Sequence, residues 1–133
     1  MKRRVRRLLP ADATAPIMAR DALAPLTPWV PAETAQDLRL LVSELVTNAV
    51  EHAGLREGEG IDLEVSAREA QAEVRVRYPE HRWFPPTLPA EPVGEDPTLG
   101  LFLVDRVSDR WSLVEEEGTV VAWCELAVPS RHG

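Results

Sequence analysis

Three side chains spaced one helical turn apart carry the chemistry this sequence can do: Glu44, Asn48 and His52. At about 100° per residue, Asn48 lies roughly 40° and His52 roughly 80° round the axis from Glu44, so the three share one stripe. Leu45, Val42, Ala49, Ala53, Val46 and Val50 fall on the other side as a broad apolar face. The stripe holds a carboxylate, an amide and an imidazole, with no Lys or Arg among them. A carboxylate can take the proton of a hydroxyl or a water. An amide oxygen can ligate Mg²⁺ without adding charge. The same pattern also describes the solvated face of an ordinary amphipathic helix, and a histidine near a helix C-terminus serves by default as a dipole partner.

The elements that must position these groups follow from punctuation and periodicity. The strongest is a helix over Pro31–Ala53, with Pro31 in its first turn, Thr34 as a cap candidate and Gly54 as its stop. Before it, Val5–Leu9 reads as a short strand, and Asp12–Leu23 as a helix capped by Asp12 or Thr14 and closed by Pro25 and Pro28. After it, Ile61–Ala67 and Ala72–Tyr78 alternate apolar and polar residues as strands do. Six prolines crowd Pro79–Pro97, which forbids helix and sheet interior alike, so this segment is expected to be a lid or binding loop. Leu99–Val107 reads as a helix, and Arg110–Glu115 and Thr119–Val128 as a closing hairpin turning at Glu117-Gly118. The order predicts one α+β domain over residues 1–133, a two-layer sandwich whose mixed, mainly antiparallel sheet is covered on one face by helices.

Composition narrows the function classes. The 133 residues are 44% hydrophobic and 28% charged, with a net charge of −7, which suits a soluble domain and disfavours generic nucleic-acid binding. No apolar run is long enough for a bilayer span, and no apolar core follows the basic start, so neither a membrane nor a secretory role is expected and a cytoplasmic one is. Cys124 is the only cysteine, which excludes an internal disulfide; beside Trp123 it reads as a small buried strand residue. Lys2, Arg3, Arg4, Arg6 and Arg7 cluster at the start, either as a solvated edge strand or as a docking arm for an acidic partner. Trp83 and Phe84 in the proline-rich loop either cover the core or fill a cleft or partner site. Trp111 and Trp123 are expected in the core.

The segment Leu41–Gly54, which contains S-E-L-V-T-N-A-x-x-H-A, resembles the N-box of the histidine-kinase-like ATPases, the GHKL superfamily. More narrowly it resembles the bacterial anti-sigma-factor serine kinases and their single-domain relatives. Leu99–Trp111 resembles the family's glycine-box helix and following strand, and Gly118–Leu126 its C-terminal strand. The resemblance implies the Bergerat fold, with ATP and Mg²⁺ as ligands. On it, Glu44 is the general base, Asn48 the Mg²⁺ ligand, and His52 a neighbour of the nucleotide. Gly100 and the amides of Leu101 and Phe102 face phosphate, Thr119 helps hold the adenine end, and Pro79–Pro97 is the ATP lid. Tyr78 stands where the family has an adenine-binding aspartate, and Thr98 replaces one glycine of the glycine box.

The function expected from this resemblance is a regulatory ATP- and Mg²⁺-binding protein that controls a transcription factor or its antagonist by partner switching. If active, it is a protein serine/threonine kinase. Its partners are a sigma factor or an anti-anti-sigma-like protein, engaged through the first strand and helix, and a homodimer is compatible with the family. The altered Tyr78 and Thr98 keep a second reading open, a nucleotide-free pseudo-kinase acting only by protein–protein contact.

Overall fold

The computed structural model of the chain describes residues 2–81 and 99–129. In chain order the elements are β1 (Arg3–Pro10), α1 (Ala15–Asp21), a single 3₁₀ turn (Thr27–Trp29), α2 (Ala32–His52), β2 (Gly60–Ala67), β3 (Gln71–Pro79), α3 (Leu99–Val107), β4 (Arg110–Glu116) and β5 (Thr119–Ala127). The strands form one sheet in the order β1-β2-β3-β5-β4, and every neighbouring pair is antiparallel rather than mixed.

Alternation along the strands builds the two layers. Val5, Val65, Val74, Cys124 and Trp111 stand opposite one another across the five strands. Val65, Val74 and Cys124 in that row are fully buried. The next row, Arg6, Glu64, Arg75, Trp123 and Ser112, lies on the opposite face, as the period of two requires. That face stays open and is laced by ion pairs such as Arg6 to Asp62 at 3.2 Å and Arg75 to Glu73 at 3.1 Å. Helix α2 lays Leu38, Leu41, Val42, Leu45, Val46 and Ala49 into the core. Gly54, at φ 69°, supplies the left-handed residue that ends it. Between β4 and β5, Glu117 and Gly118 both take positive φ, the two-residue turn whose twist suits a hairpin.

Several expectations are corrected. Helix α1 is shorter than Asp12–Leu23, because the Asp12 carboxylate accepts the Thr14 N–H at 2.8 Å in a local turn and Pro16 sets the first helical turn. Thr34 does not cap α2; it is buried inside the helix, and Pro31 takes the cap position. Neither Trp111 nor Trp123 is fully buried. Trp111 packs at the edge of the core and donates its indole N–H to Asp105 at 2.8 Å. Trp123 falls on the open face and donates to Glu73 at 2.6 Å. The basic start is an edge strand, with Arg3 stacked 3.6 Å from the Trp29 ring. Trp83, Phe84, Thr98 and all but the first residues of Pro79–Pro97 lie outside the described residues.

Candidate functional site

The apolar face of α2 is fixed against the sheet, and this fixes where its polar stripe points. Glu44 and Asn48 emerge half-buried, one turn apart, beside buried Leu45 and Ala49. Beside Glu44, the Arg20 guanidinium donates to the Ser43 hydroxyl at 2.6 Å and ties α1 to α2. Nothing in residue spacing announces that pair.

Two further elements close on the stripe. The first is the start of α3. A Cβ added to Gly100 would stand 2.9 Å from Glu44 Oε2, closer than side-chain carbons approach, so the missing side chain makes room for the carboxylate. The family resemblance implies Gly100 as a phosphate-facing glycine; its proximity to Glu44 is visible only once the helices are placed. The second is the end of β3. Tyr78 is 4% exposed and pairs in register with Val120, and the Asn48 side chain acts on the ionisation of its phenol. The residue that departs from the family pattern thus belongs to the same cluster as Asn48.

Electrostatics mark both groups. Burial, with Glu51 as a lesser like-charge neighbour, pushes the Glu44 carboxyl above the ordinary glutamate range. Burial likewise pushes the Tyr78 phenol up to about 12, against the opposing effect of the Asn48 side chain, so it is a neutral hydroxyl at physiological pH.

The remaining expected site residues divide. Leu101 is buried and its side chain belongs to the core, so only its backbone is available. Phe102 lies under the Arg106 guanidinium, 4.8 Å from the ring centre. Gly100, Leu101 and Phe102 lie at the start of α3, and the N–H groups of Gly100 and Leu101 are among those that have no intrahelical acceptor. His52, the last residue of α2, places Nε2 3.7 Å from the carboxylate of its neighbour Glu51. Thr119 is not brought to the stripe. It opens β5 opposite Pro79, and alternation puts it with Val121 and Trp123 on the open face, while Val120 takes the buried position beside Tyr78. At the margin, His81 Nε2 lies 2.8 Å from the Glu59 carboxylate, joining the chain after β3 to the loop after α2.

Among the described residues no three His, Cys, Asp or Glu side chains converge to hold a metal by themselves. A site with one amide oxygen suits Mg²⁺, which keeps several waters and takes its other ligands from phosphates.

Comparison with known proteins bears on the family and the fold. A family model described as a histidine kinase-like ATPase domain matches residues 9–124. The serine-protein kinases RsbW of Listeria monocytogenes (serotype 4a, strain HCC23) and Listeria innocua (serovar 6a) are each 36% identical over 100 residues, covering 67% of this chain and 64% of theirs. The match therefore spans less than two thirds of the length of these curated relatives. The crystal structure of the RsbU and RsbW domains of Rv1364c from Mycobacterium tuberculosis superposes with a TM-score of 0.64 at 18% identity, over 97% of this chain and 34% of that one. The two share a fold. With the sheet and helices in the same arrangement and the family model spanning all but the ends, the chain belongs to the histidine kinase-like ATPase family.

Proposed function

We propose that this protein is an ATP- and Mg²⁺-binding regulator of the anti-sigma-factor serine kinase type, acting by partner switching on a sigma factor or an anti-anti-sigma-like protein. The observation that carries the reading is the half-buried Glu44–Asn48 pair on α2, capped by the head of α3 at Gly100. A helix needing only a solvated face has no use for a carboxylate held partly out of water. The 36% identity to serine-protein kinases points the same way.

In this mechanism Glu44 Oε2 takes the proton of a serine hydroxyl on the partner protein, and its raised affinity for a proton suits that task. Asn48 offers its amide oxygen to the cation. The N–H groups of Gly100 and Leu101 hold phosphate oxygens at the positive end of α3. When bound, Mg²⁺-ATP supplies the phosphoryl group and neutralises the charge that develops on it. Tyr78 closes the floor beside Asn48. Our reading has the partner engage β1, α1 and the 3₁₀ turn, where Arg7, Ile17 and Trp29 are exposed.

Calorimetry with ATP, with and without Mg²⁺, tests the reading. We expect Mg²⁺-dependent binding that Asn48→Ala abolishes, and a Mg²⁺-independent fold as judged by thermal melting. The absence of heat and of thermal stabilisation at millimolar ATP would sink it.

A further inference from the structure

We infer that Glu59 and His81 form a strap that holds the sheet shut beside the candidate nucleotide site and slows the exchange of nucleotide there. The inference rests on the nucleotide reading of the site and adds what controls its opening. The strap lies where the backbone ladder gives out. At the turn between β2 and β3, the Arg68 N–H donates to the Gln71 carbonyl at 2.8 Å, which makes these two a hydrogen-bonded pair. Bonded pairs recur at every second position of an antiparallel ladder, so Asp62 with Arg77 is the last before the register ends. The next would be Gly60 with Pro79, and proline has no N–H to give. On its other side β3 stays bonded for longer. Its register with β5 reaches Pro79, and the Glu80 N–H still donates to the Gly118 carbonyl at 2.9 Å. The seam towards β2 therefore ends just short of Ile61 and Tyr78, both buried.

Past this gap a side-chain contact takes over. His81 Nε2 lies 2.8 Å and 2.9 Å from the two Glu59 oxygens. The Arg56 N–H donates to the same carboxylate at 2.6 Å, so the loop after α2 holds it in place for the imidazole. The His81 contact, with the Arg56 N–H second, holds the Glu59 carboxyl below the ordinary glutamate range. Glu59 is thus the acceptor and His81 the donor. The loop bearing Glu59 follows α2, which carries Glu44 and Asn48, and His81 follows β3, which carries Tyr78. The contact ties together the two elements that flank the site.

The full chain is compared as wild type, Glu59→Ala, His81→Ala and the double variant. Stopped-flow release of a fluorescent ADP in the presence of Mg²⁺, chased with unlabelled ADP, reads the exchange rate. Each single variant is expected to release ADP about two- to fivefold faster, the range for one solvent-accessible ion pair, and the double variant no faster than either. Amide hydrogen exchange reads the seam itself. The Asp62 and Arg77 amides should exchange faster in each variant, while those of Ser66 and Glu73, further along the same ladder, stay as in wild type. Unchanged release in the single variants, or effects that add in the double, overturns the strap while leaving the nucleotide site standing. Exchange that speeds equally at both pairs shows general loosening and overturns it too. Wild type that binds no ADP overturns the nucleotide reading, and this inference with it.

Discussion

Replacing Gly100 with alanine separates two reasons for a glycine at the head of α3, helix geometry and room for a neighbour. Gly100 does not adopt a positive φ, so alanine fits the backbone without strain. In a helix, alanine is favoured over glycine by roughly 0.5–1 kcal/mol, which predicts a fold as stable as wild type or slightly more so. The steric side is opposite. The new Cβ would sit 2.9 Å from Glu44 Oε2 but 3.8 Å from the Glu44 carbonyl oxygen and 3.9 Å from its Cβ. Only the tip of the side chain is crowded, so the carboxylate swings and the helices stay. Restoring ordinary contact, 3.4 Å or more, moves Oε2 by at least about 0.5 Å. Misplacing a reacting group by about 1 Å costs on the order of 100-fold in rate. Urea denaturation should therefore show unchanged or raised stability, while phosphotransfer to a serine-bearing partner falls by about 10- to 100-fold. A variant that is less stable than wild type by more than about 1 kcal/mol, or one that keeps full activity, would refute this account of Gly100.

Glu44→Gln is expected to raise the melting temperature at neutral pH while abolishing phosphotransfer. The sign follows from the raised carboxyl: below its ordinary value of 4.5 the protonated group is fully compatible with the fold, and stability is lost as pH rises through the folded-state value. Melting curves at pH 4 and pH 7 check it, the difference between variant and wild type being confined to the higher pH. Leu45→Ala, at a position 1% exposed on the inner face of α2, should cost about 2–5 kcal/mol in urea denaturation. The buried Cys124 thiol, pushed up to about 12 by burial, should resist a thiol reagent in the folded protein and give one equivalent after unfolding.

Most of the architecture is legible in residue order because one face of each strand is buried. Ile61, Leu63 and Val65, like Ala72, Val74 and Val76, alternate in sequence and are all buried in the sheet. The length of α2 is legible too, since Gly54 ends it with a positive φ and its apolar positions repeat at the helical period. Short-range chemistry is harder to read. Asp12 captures the Thr14 amide, so α1 starts later than helix preference suggests. Trp123 is a large apolar residue on a strand, yet parity places it on the open face, where Glu73 satisfies its indole. Within the site, Glu44 and Asn48 are given by one helix and one spacing. Their neighbours Gly100 and Tyr78 come from α3 and β3, and no local pattern fixes contacts across such separations. For the same reason the alternation of β5, not the identity of Thr119, decides which face that residue serves.

The charge arrangement round Glu44 says what kind of partner the cluster awaits. A carboxylate held partly out of water is ordinarily neutralised by a nearby cation. Among the described residues no Lys or Arg makes an ion pair with Glu44. The guanidinium of Arg20 reaches the adjacent Ser43 hydroxyl at 2.6 Å, and Glu51, a like charge, adds to the burden. Asn48 and Tyr78 are both neutral, so the cluster carries negative charge that no ion pair among the described residues compensates. Left so, it opposes folding, which is why Glu44→Gln is expected to stabilise. Ligand binding reverses the balance. On the proposed function, a divalent cation at the Asn48 oxygen would offset the carboxylate, while the phosphates arriving with it would meet the unpaired N–H groups of α3 rather than Glu44 alone. A bare anion would be repelled by Glu44, and a bare cation would find too few ligands. On that proposal the two bind together, and Mg²⁺ dependence of nucleotide binding is expected to be a property of the whole cluster and not of Asn48 alone.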